Sequence, residues 1–379
     1  MQFETHANYE RLCAYHSRTN GQILSINNDD FFEAIRYDKR GIQGPLVSMP
    51  PDLGLNDPLL LNEWFAVAWT SSLPKNKLEP VRVLGQDLVL WRTNDGVRAW
   101  KDLCVHRGAK LSLGRISGPE EGGCVVCPYH GWEYNSAGEC VRMPAHPDQV
   151  PPSRAHVDSF AVREKYSLVW VCLGKPIGDI PSFPEGETPS FRLISTGPYE
   201  FHAKGPRIIE NILDLAHLPI AHAGMLGDPA NAEIGDYTVT TTTEGIVARD
   251  IPLWQPDPDG TGRSAKVHYN YWVERPFTTR LTKTHPTQHF AILGTVTPVD
   301  AENSLAWAVI AMDYAHDVPE KELRDFQDKV TAQDIRIVNS QRPELLPLDL
   351  QSELHLRSDQ IAIAYRRWLK QLGLQYGTS

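Results

Sequence analysis

The sequence predicts an α+β protein in which a small antiparallel β domain precedes a larger domain of curved antiparallel sheet and helices. The chain has 379 residues, and single hydrophobic cores stop growing near roughly 250–300 residues, so two domains are expected. Short β-type runs broken by turn residues come first, as in EWFAVAWTS and VRVLGQDLVLWRT. Longer strand-type runs and amphipathic helices follow, which is the pattern of a sheet flanked by helices.

The elements divide the chain into three segments. Residues 1–59 have weak periodicity, one helical stretch (FFEAIRYDKRG) and a Pro- and Gly-rich end, so we interpret them as an N-terminal extension. Residues 60–176 hold the short β runs and form the predicted β domain. Residues 177–379 begin with a Pro-rich connector and form the larger domain. Its first helix, RIIENILDLAHLPIAH, is expected to be kinked or ended by Pro219.

Composition excludes several functional classes. The formal net charge is -10, and binding to nucleic acid needs a basic face, so we expect no nucleic-acid partner. No run approaches the roughly 18 apolar residues of a membrane span, and the N-terminus shows no secretory signal. Six cysteines in a chain of this length do not form a disulfide framework. We therefore expect a protein of the reducing cytoplasm that has no membrane partner.

Two cysteine–histidine pairs predict a metal site in the β domain. Cys104 and His106 stand in CVHRG, and Cys127 and His130 stand in CPYHG. Turn residues flank each pair, which places the pairs on loops that can hold a metal from two sides. The donors suit a structural zinc ion or a Rieske [2Fe–2S] cluster, in which one iron takes two thiolates and the other takes two imidazoles. The alternation of Cys and His favours the cluster, because zinc fingers group the cysteines together.

The stretch CVVCPYHG also contains a CxxC pair, Cys124 and Cys127, of the kind typical of dithiol or zinc sites. Cys127 forms the second Cys–His pair, whereas Cys124 falls in a strand-type run that leads into the loop. We interpret Cys124 as a small buried residue, and we interpret Cys172 in YSLVWVCLG in the same way.

Two histidines and two carboxylates form a second group in the larger domain. Asp214, His217 and His222 lie in DLAHLPIAH, where a distortion at Pro219 allows both imidazoles to reach one point. On a helix, Asp214 and His217 share a face because they are three residues apart. Histidines alone are more often core residues, so a further ligand has to be found elsewhere in the chain.

Asp334 supplies the missing carboxylate. It falls inside an apolar stripe of a later predicted helix, and this stripe consists of Leu323, Phe326, Val330, Ile337 and Val338. A carboxylate that faces a core is costly unless it is paired or binds a metal, and no Lys or Arg shares the stripe. Two histidines and one carboxylate with open positions form the facial triad of non-haem Fe(II) oxygenases.

Six segments of the chain from about Leu60 onwards carry a likeness to a known family. They are NEWFAVAW, CVHRGAKLSLG, CPYHGWEYNSAGEC, NILDLAHLPIAHAGMLGD, QDIRIVNSQ and AYRRWLKQLG. The sequence resembles the α subunits of Rieske non-haem iron oxygenases. It looks most like members built from α subunits alone, which are the vanillate and dicamba O-demethylases and the hydroxylases of saxitoxin biosynthesis. The resemblance implies an all-β Rieske domain and a helix-grip-like catalytic domain.

The resemblance also implies roles for individual residues. The family's [2Fe–2S] ligands fall on Cys104, His106, Cys127 and His130. Its mononuclear iron ligands fall on His217, His222 and Asp334, and its electron-transfer bridge between subunits falls on Asp214. Where many relatives have an acidic residue shortly after the third iron ligand, this chain has Asn339.

The function that the resemblance implies is that of a monooxygenase, which hydroxylates a small alkaloid, heterocycle or aromatic with O2. Electrons come from NAD(P)H through a separate reductase or ferredoxin. Heterologous contacts that close as a ring imply a homotrimer. Oxidative O- or N-demethylation uses the same iron and is the alternative. A non-catalytic Rieske electron carrier is a further alternative, but it leaves Asp334 and residues 177–379 without a role.

The C-terminal helix carries Arg366, Arg367 and Lys370 beside several apolar residues. We interpret it as an amphipathic helix that closes the domain. Docking of an acidic ferredoxin on these basic side chains is the alternative.

Overall fold

A computed structural model describes residues 55–118, 123–258, 262–285 and 288–379 of the chain. The helix predicted for FFEAIRYDKRG lies outside these residues. None of the helices in the described ranges is long and apolar enough to cross a membrane.

The β domain consists of one short helix and two antiparallel sheets. Its elements are α1 (Pro58–Leu61), β1 (Phe65–Trp69), β2 (Leu78–Val83), β3 (Gln86–Thr93), β4 (Gly96–Lys101), β5 (Arg115–Ser117), β6 (Cys124–Val126), β7 (Glu133–Tyr134), β8 (Cys140–Arg142), β9 (Ser159–Lys165) and β10 (Leu168–Cys172). Six strands pair in the order β1-β10-β9-β4-β3-β2, and β5 to β8 pair in sequence. The smaller sheet thus lies between β4 and β9 in the chain and carries the loops that hold both Cys–His pairs.

The larger domain is built on one antiparallel sheet. Its elements are α2 (Pro184–Glu187), β11 (Arg192–Phe201), α3 (Gly205–Leu213), α4 (Leu218–Ala221), β12 (Thr238–Thr242), β13 (Gly245–Gln255), β14 (Ala265–Arg275), β15 (Thr278–His285), β16 (Gln288–Pro298), β17 (Ser304–Met312), α5 (Glu320–Val338) and α6 (Gln360–Leu372). The seven strands follow the order β11-β17-β16-β15-β14-β13-β12. Helix α3 packs on β16, α5 on β11, and α6 on β12 and β13. This arrangement confirms the predicted sheet with flanking helices.

Strand β14 of this sheet alternates in burial because one of its faces packs into the core. In β14, Val267, Tyr269, Tyr271 and Val273 are buried, and none of the side chains between them is. Strand β10 differs because it is buried along its whole length. One face of β10 packs in the core that includes α3 and β13, and the other packs against β17. Cys172 is therefore a buried core residue, as predicted.

The segment around RIIENILDLAHLPIAH forms two helices, which corrects the prediction of one helix that is kinked or ended at Pro219. Helix α3 ends before Asp214, whose φ of -78° and ψ of 128° are extended. A helix that continued through Pro219 would press the proline ring against the carbonyl of Leu215. The break at Asp214 removes this clash and leaves Pro219 in the first turn of α4. Asp214 and His217 therefore do not share a helix face.

Helix α5 presents Asp334 to the interior, as its pattern predicts. Val330, Asp334 and Val338 are four residues apart and form one row. Both valines are buried, and the Asp334 side chain is 15% exposed. The prediction that the whole apolar stripe faces the core was wrong at two residues, since Phe326 and Ile337 are 44% and 43% exposed. Phe326 borders an open cavity, and Ile337 lies about 100° around the helix from Val338.

Candidate metal centres and active-site cavity

The two Cys–His loops share one backbone frame. In each loop the cysteine N–H donates to the carbonyl five residues ahead, at 2.8 Å in both. The glycine four residues ahead donates back to the cysteine carbonyl, at 2.9 Å from Gly108 to Cys104 and 3.1 Å from Gly131 to Cys127. Both glycines have left-handed backbone, with φ of +71° and +69°, which other residues rarely adopt. Each loop therefore folds back over its own cysteine.

The side chains of these loops fit a [2Fe–2S] cluster. Cys104 and Cys127 are free thiols that are 2% and 3% exposed. The rings of His106 and His130 lie 4.6 Å apart between centroids, on the outer side of the loops. His106 Nδ1 is buried and has no hydrogen-bond partner among the described residues, as expected of an atom that is free to ligate. Buried thiolates and outer imidazoles match the asymmetric ligation of a Rieske centre.

Two aromatic residues beside these loops were not singled out from the sequence. The Tyr134 hydroxyl lies 3.1 Å from Cys104 Sγ, and Trp132 stacks on His106 at 4.5 Å with an interplanar angle of 5°. Burial raises the pKa of Tyr134, and the contact with Cys104 raises it further, so this hydroxyl keeps its hydrogen. Trp132 and Tyr134 stand two and four positions after His130 in CPYHGWEY, and this closeness was the available signal.

Cys124 begins strand β6 and pairs with Ser117 of β5. Its thiol is half-buried, and burial raises its pKa. This strand position agrees with the expectation from the sequence, and its role as a bystander stays a prediction.

The three side chains of the predicted facial triad meet at one point. One donor atom from each of His217, His222 and Asp334 lies within 4.8 Å of the others. Asp334 Oδ1 is 3.1 Å from His222 Nε2 and 3.5 Å from His217 Nε2. The two imidazole centroids are 5.0 Å apart. Two imidazoles and one carboxylate at these distances fit a divalent iron with open positions.

Short elements place these side chains. His217 immediately precedes α4 and His222 immediately follows it, so one short turn that contains Pro219 sets their separation. Asp334 comes from the second half of α5, which packs across β11. The triad therefore depends on packing between segments that are more than 100 residues apart.

The electrostatics of the triad suit a cation. Burial lowers the pKa of His217, although Asp214 and Asp334 act in the opposite direction, so this imidazole is neutral at pH 7. Burial also opposes protonation of His222, but its bonds to Asp334 and Gln333 outweigh burial and raise its pKa. A bound metal ion would take the place of the proton on Nε2, because a ligating histidine is deprotonated at the bound nitrogen.

Asp214 lies beside the triad without contributing to it. Its Oδ2 is 3.8 Å from His217 Nδ1, and its Oδ1 accepts the N–H of Ala216 at 2.8 Å. The side chain is 42% exposed. This position faces both a ligand histidine and the surface.

A cavity of about 690 Å³ opens onto the triad. Its walls are mostly apolar and include Phe201, Ile208, Ile212, Leu218, Met225, Leu281, Phe290, Ile292 and Val330. Tyr269 and Tyr271 also line it, with ring planes inclined by 19°. Trp272 follows them on β14, but the pleat turns it to the other face, where Arg280 lies 4.3 Å from its ring centroid.

Polar side chains are grouped along one row of the cavity wall. Gln255 Nε2 donates to the Tyr269 hydroxyl oxygen at 2.9 Å, and Lys283 Nζ donates to Gln255 Oε1 at 3.4 Å. Tyr269 and Lys283 are direct partners across β14 and β15. The ammonium group disfavours a cationic substrate. Sequence reasoning did not connect Tyr269 with Gln255 and Lys283, because the three residues come from three separate strands.

Models of two protein families match the chain. The Rieske [2Fe-2S] domain matches residues 63–161, and the vanillate O-demethylase oxygenase C-terminal domain matches residues 201–375. Methylxanthine N1-demethylase NdmA of Pseudomonas putida is 31% identical over 327 residues, which cover 82% of this chain and 88% of that protein. The chain belongs to the Rieske non-haem iron oxygenases. It is thus an enzyme that carries a Rieske [2Fe–2S] cluster and a mononuclear iron, as the sequence predicts.

Further relatives of this Rieske oxygenase include a second demethylase and an oxidoreductase. Methylxanthine N3-demethylase NdmB of Pseudomonas putida is 30% identical over 328 residues, or 78% of this chain and 82% of that protein. A solved structure of the NdmA QL mutant with caffeine superimposes with a TM-score of 0.72 at 29% identity, covering 84% of this chain and 92% of that one. Oxidoreductase NdmD of the same species is 44% identical over 121 residues, or 31% of this chain and 20% of that protein. Enzymes of this family work with reductase partners on small molecules.

Proposed function

We propose that this oxygenase removes an N-methyl group by oxidation from a small, neutral heterocycle. The observation that carries the proposal is the largely apolar cavity that opens onto His217, His222 and Asp334. The functions of NdmA and NdmB, two methylxanthine N-demethylases, support demethylation over the hydroxylation that we expected first from the sequence. Both reactions use the same site and differ in which C–H bond faces it.

The residue assignments belong to the same proposal. The cluster ligands are Cys104, His106, Cys127 and His130, and the iron ligands are His217, His222 and Asp334. When bound, these groups supply electron transfer and O2 activation. The segment boundaries at residues 59 and 176 are also proposals.

The cavity residues orient the substrate. The contacts of Gln255 with Lys283 Nζ and with the Leu226 carbonyl, 3.4 Å each, fix its amide so that Nε2 faces the Tyr269 oxygen. The Tyr269 oxygen accepts this bond at 2.9 Å, so the hydroxyl can use its own hydrogen to donate. It therefore donates to an oxo or ring-nitrogen acceptor of the heterocycle. The apolar walls hold the ring and exclude water from the methyl group.

The demethylation consumes one O2, two electrons and two protons for each methyl group. A methyl C–H bond becomes C–OH, and the second oxygen atom leaves as water. The resulting carbinolamine breaks its C–N bond, so formaldehyde leaves and the ring nitrogen keeps a hydrogen. The electrons come from NAD(P)H through a separate reductase or ferredoxin. We place Asp214 between a cluster histidine of one subunit and His217 of the next in a homotrimer, and its 42% exposure supports this role.

Turnover with a methylxanthine panel tests the proposal. The holoenzyme, a reductase, NADH and O2 are incubated with caffeine, theobromine and theophylline. We expect formaldehyde and a demethylated product in equal amounts. Asp334→Ala should abolish both and keep the visible spectrum of the cluster. A product heavier by one oxygen atom, without formaldehyde, would show a hydroxylase instead. Iron analysis should give about three irons per chain, two in the cluster and one in the triad.

A further inference from the structure

The two triad histidines differ in what holds their second ring nitrogen. His222 is 1% exposed, and its Nδ1 lies 2.7 Å from Gln333 Oε1 while its Nε2 faces Asp334 at 3.1 Å. His217 Nδ1 is buried and has no hydrogen-bond partner among the described residues, since Asp214 is 3.8 Å away. The His222 ring is thus held at both of its nitrogens, whereas the His217 ring has a close polar neighbour only at Nε2.

The amide oxygen of Gln333 selects a tautomer of His222. An amide oxygen accepts and cannot donate, so His222 Nδ1 carries the hydrogen in this contact. The lone pair of the neutral ring then lies on Nε2, which points at the triad. The opposite tautomer would direct an N–H at Asp334 and leave no lone pair for a metal. Gln333 therefore favours the form of His222 that binds a cation.

The position of Gln333 in the fold makes this contact stiff. Gln333 and Asp334 are adjacent on α5, so one helix supplies both a triad carboxylate and the group that orients a triad histidine. The neighbouring row of Val330 and Val338 is buried and fixes the rotation of the helix. Because the amide is neutral, it places no formal charge beside His222.

We propose that Gln333 is a positioning residue that fixes the tautomer and ring orientation of His222 and so sets how tightly the triad holds Fe(II). This inference rests on the proposed assignment of His217, His222 and Asp334 as the iron ligands. Partners of ligating histidines typically change metal affinity by about 10- to 100-fold when they are removed.

The test measures metal affinity without turnover. Protein freed of its mononuclear iron is titrated anaerobically with Fe(II) against a coloured chelator, and the visible spectrum of the cluster reports an intact fold. We expect Gln333→Leu to weaken Fe(II) binding by about 10- to 100-fold. Gln327→Leu is the matched control, because Gln327 lies on the same helix and bonds Thr331 at 3.1 Å. It should bind Fe(II) as the unmodified protein does.

Conservative variants separate orientation from mere packing. Gln333→Glu keeps the length and the acceptor, so it should keep most of the affinity. The side chain of Gln333→Asn is one methylene shorter, so this variant should lose Fe(II) affinity. It replaces Gln333→Leu if the leucine variant does not fold. An unchanged affinity in Gln333→Leu, or in Gln333→Asn where it stands in, would overturn the inference. So would equal losses in Gln333→Glu and Gln333→Leu. Unchanged affinity in Asp334→Ala would instead overturn the triad assignment itself.

Discussion

The two metal regions of this enzyme differ in how much of the chain each needs. The Cys–His loops span residues 104–130, and hydrogen bonds within each loop fix the cysteine beside its histidine. The triad joins both ends of α4 to a residue of α5, more than 100 positions later. The first region is a local structure with a sequence signature, whereas the second exists because α5 packs against β11.

The two regions also bury different donors. In the loops the thiols are buried and the imidazoles lie outward, so the histidine side of the cluster site faces the surface. In the triad His222 is buried, and polar neighbours control its second nitrogen. Loop residues therefore determine the Cys–His centre, whereas residues around the ligands adjust the triad. The following variants test this difference, beginning with the largest expected effect.

Removal of one loop thiol should destroy the first centre. We expect Cys127→Ser to abolish the Rieske absorption and to remove about two irons per chain, because no other thiol takes its place in the loop. Visible absorption and iron analysis measure both effects. Cys124→Ser is the matched control and should keep the spectrum. Loss of the cluster in the control would make Cys124 a ligand and would overturn our interpretation of the CxxC pair.

Removal of the Asp214 charge should slow electron transfer between the two metal centres while both centres keep their metals. We expect Asp214→Asn to keep both metals and to lower turnover by at least about tenfold, since it breaks the proposed bridge to His217. Rapid mixing of the reduced enzyme with substrate and O2 should show slow oxidation of the cluster. Asp228→Asn is the control, because Asp228 accepts an N–H two residues ahead, as Asp214 does. Normal turnover in Asp214→Asn would remove the bridge from the mechanism.

The polar row of the cavity should affect substrate binding rather than the metals. We expect Tyr269→Phe to raise KM for the N-methylated heterocycle by about 2- to 13-fold, the equivalent of one neutral hydrogen bond of ~0.5–1.5 kcal/mol. Steady-state kinetics measure KM, and iron content should stay unchanged. Tyr365→Phe is the control, because it also removes a buried hydroxyl, but this hydroxyl donates to the Pro276 carbonyl. Its KM should stay unchanged. An unchanged KM in Tyr269→Phe would show that the substrate does not use this hydroxyl.

Removal of the Tyr134 hydroxyl, which lies beside Cys104, should change the reduction potential of the [2Fe–2S] cluster only slightly. A hydrogen bond to the sulfur stabilises the more negative, reduced cluster, so Tyr134→Phe should lower its reduction potential. One neutral hydrogen bond corresponds to about 20–60 mV for a one-electron couple. A redox titration followed by visible absorption measures the shift. Tyr129→Phe is the control, because Tyr129 is 64% exposed. A potential that does not fall in Tyr134→Phe would exclude this bond as a determinant.

Some residues show where sequence reasoning stopped. Arg366 was expected on an amphipathic helix, with docking of a ferredoxin as one role, but it is 2% exposed and ion-paired with Glu210 and Glu353. Its partners lie on α3 and in the loop before α6, so no local pattern announces them. Gln333 was missed for the same reason, because its contact with His222 joins positions 111 residues apart.

The fold class, the two Cys–His loops and the residue types of the triad could be predicted from the sequence alone. Cys–His spacing and a carboxylate inside an apolar stripe are local patterns, and local backbone geometry follows from them. Only the tertiary structure decided that the helix breaks at Asp214, that Tyr269, Gln255 and Lys283 form one row, and that Gln333 meets His222. These contacts depend on how distant elements pack, and packing responds to the whole core rather than to neighbouring residues.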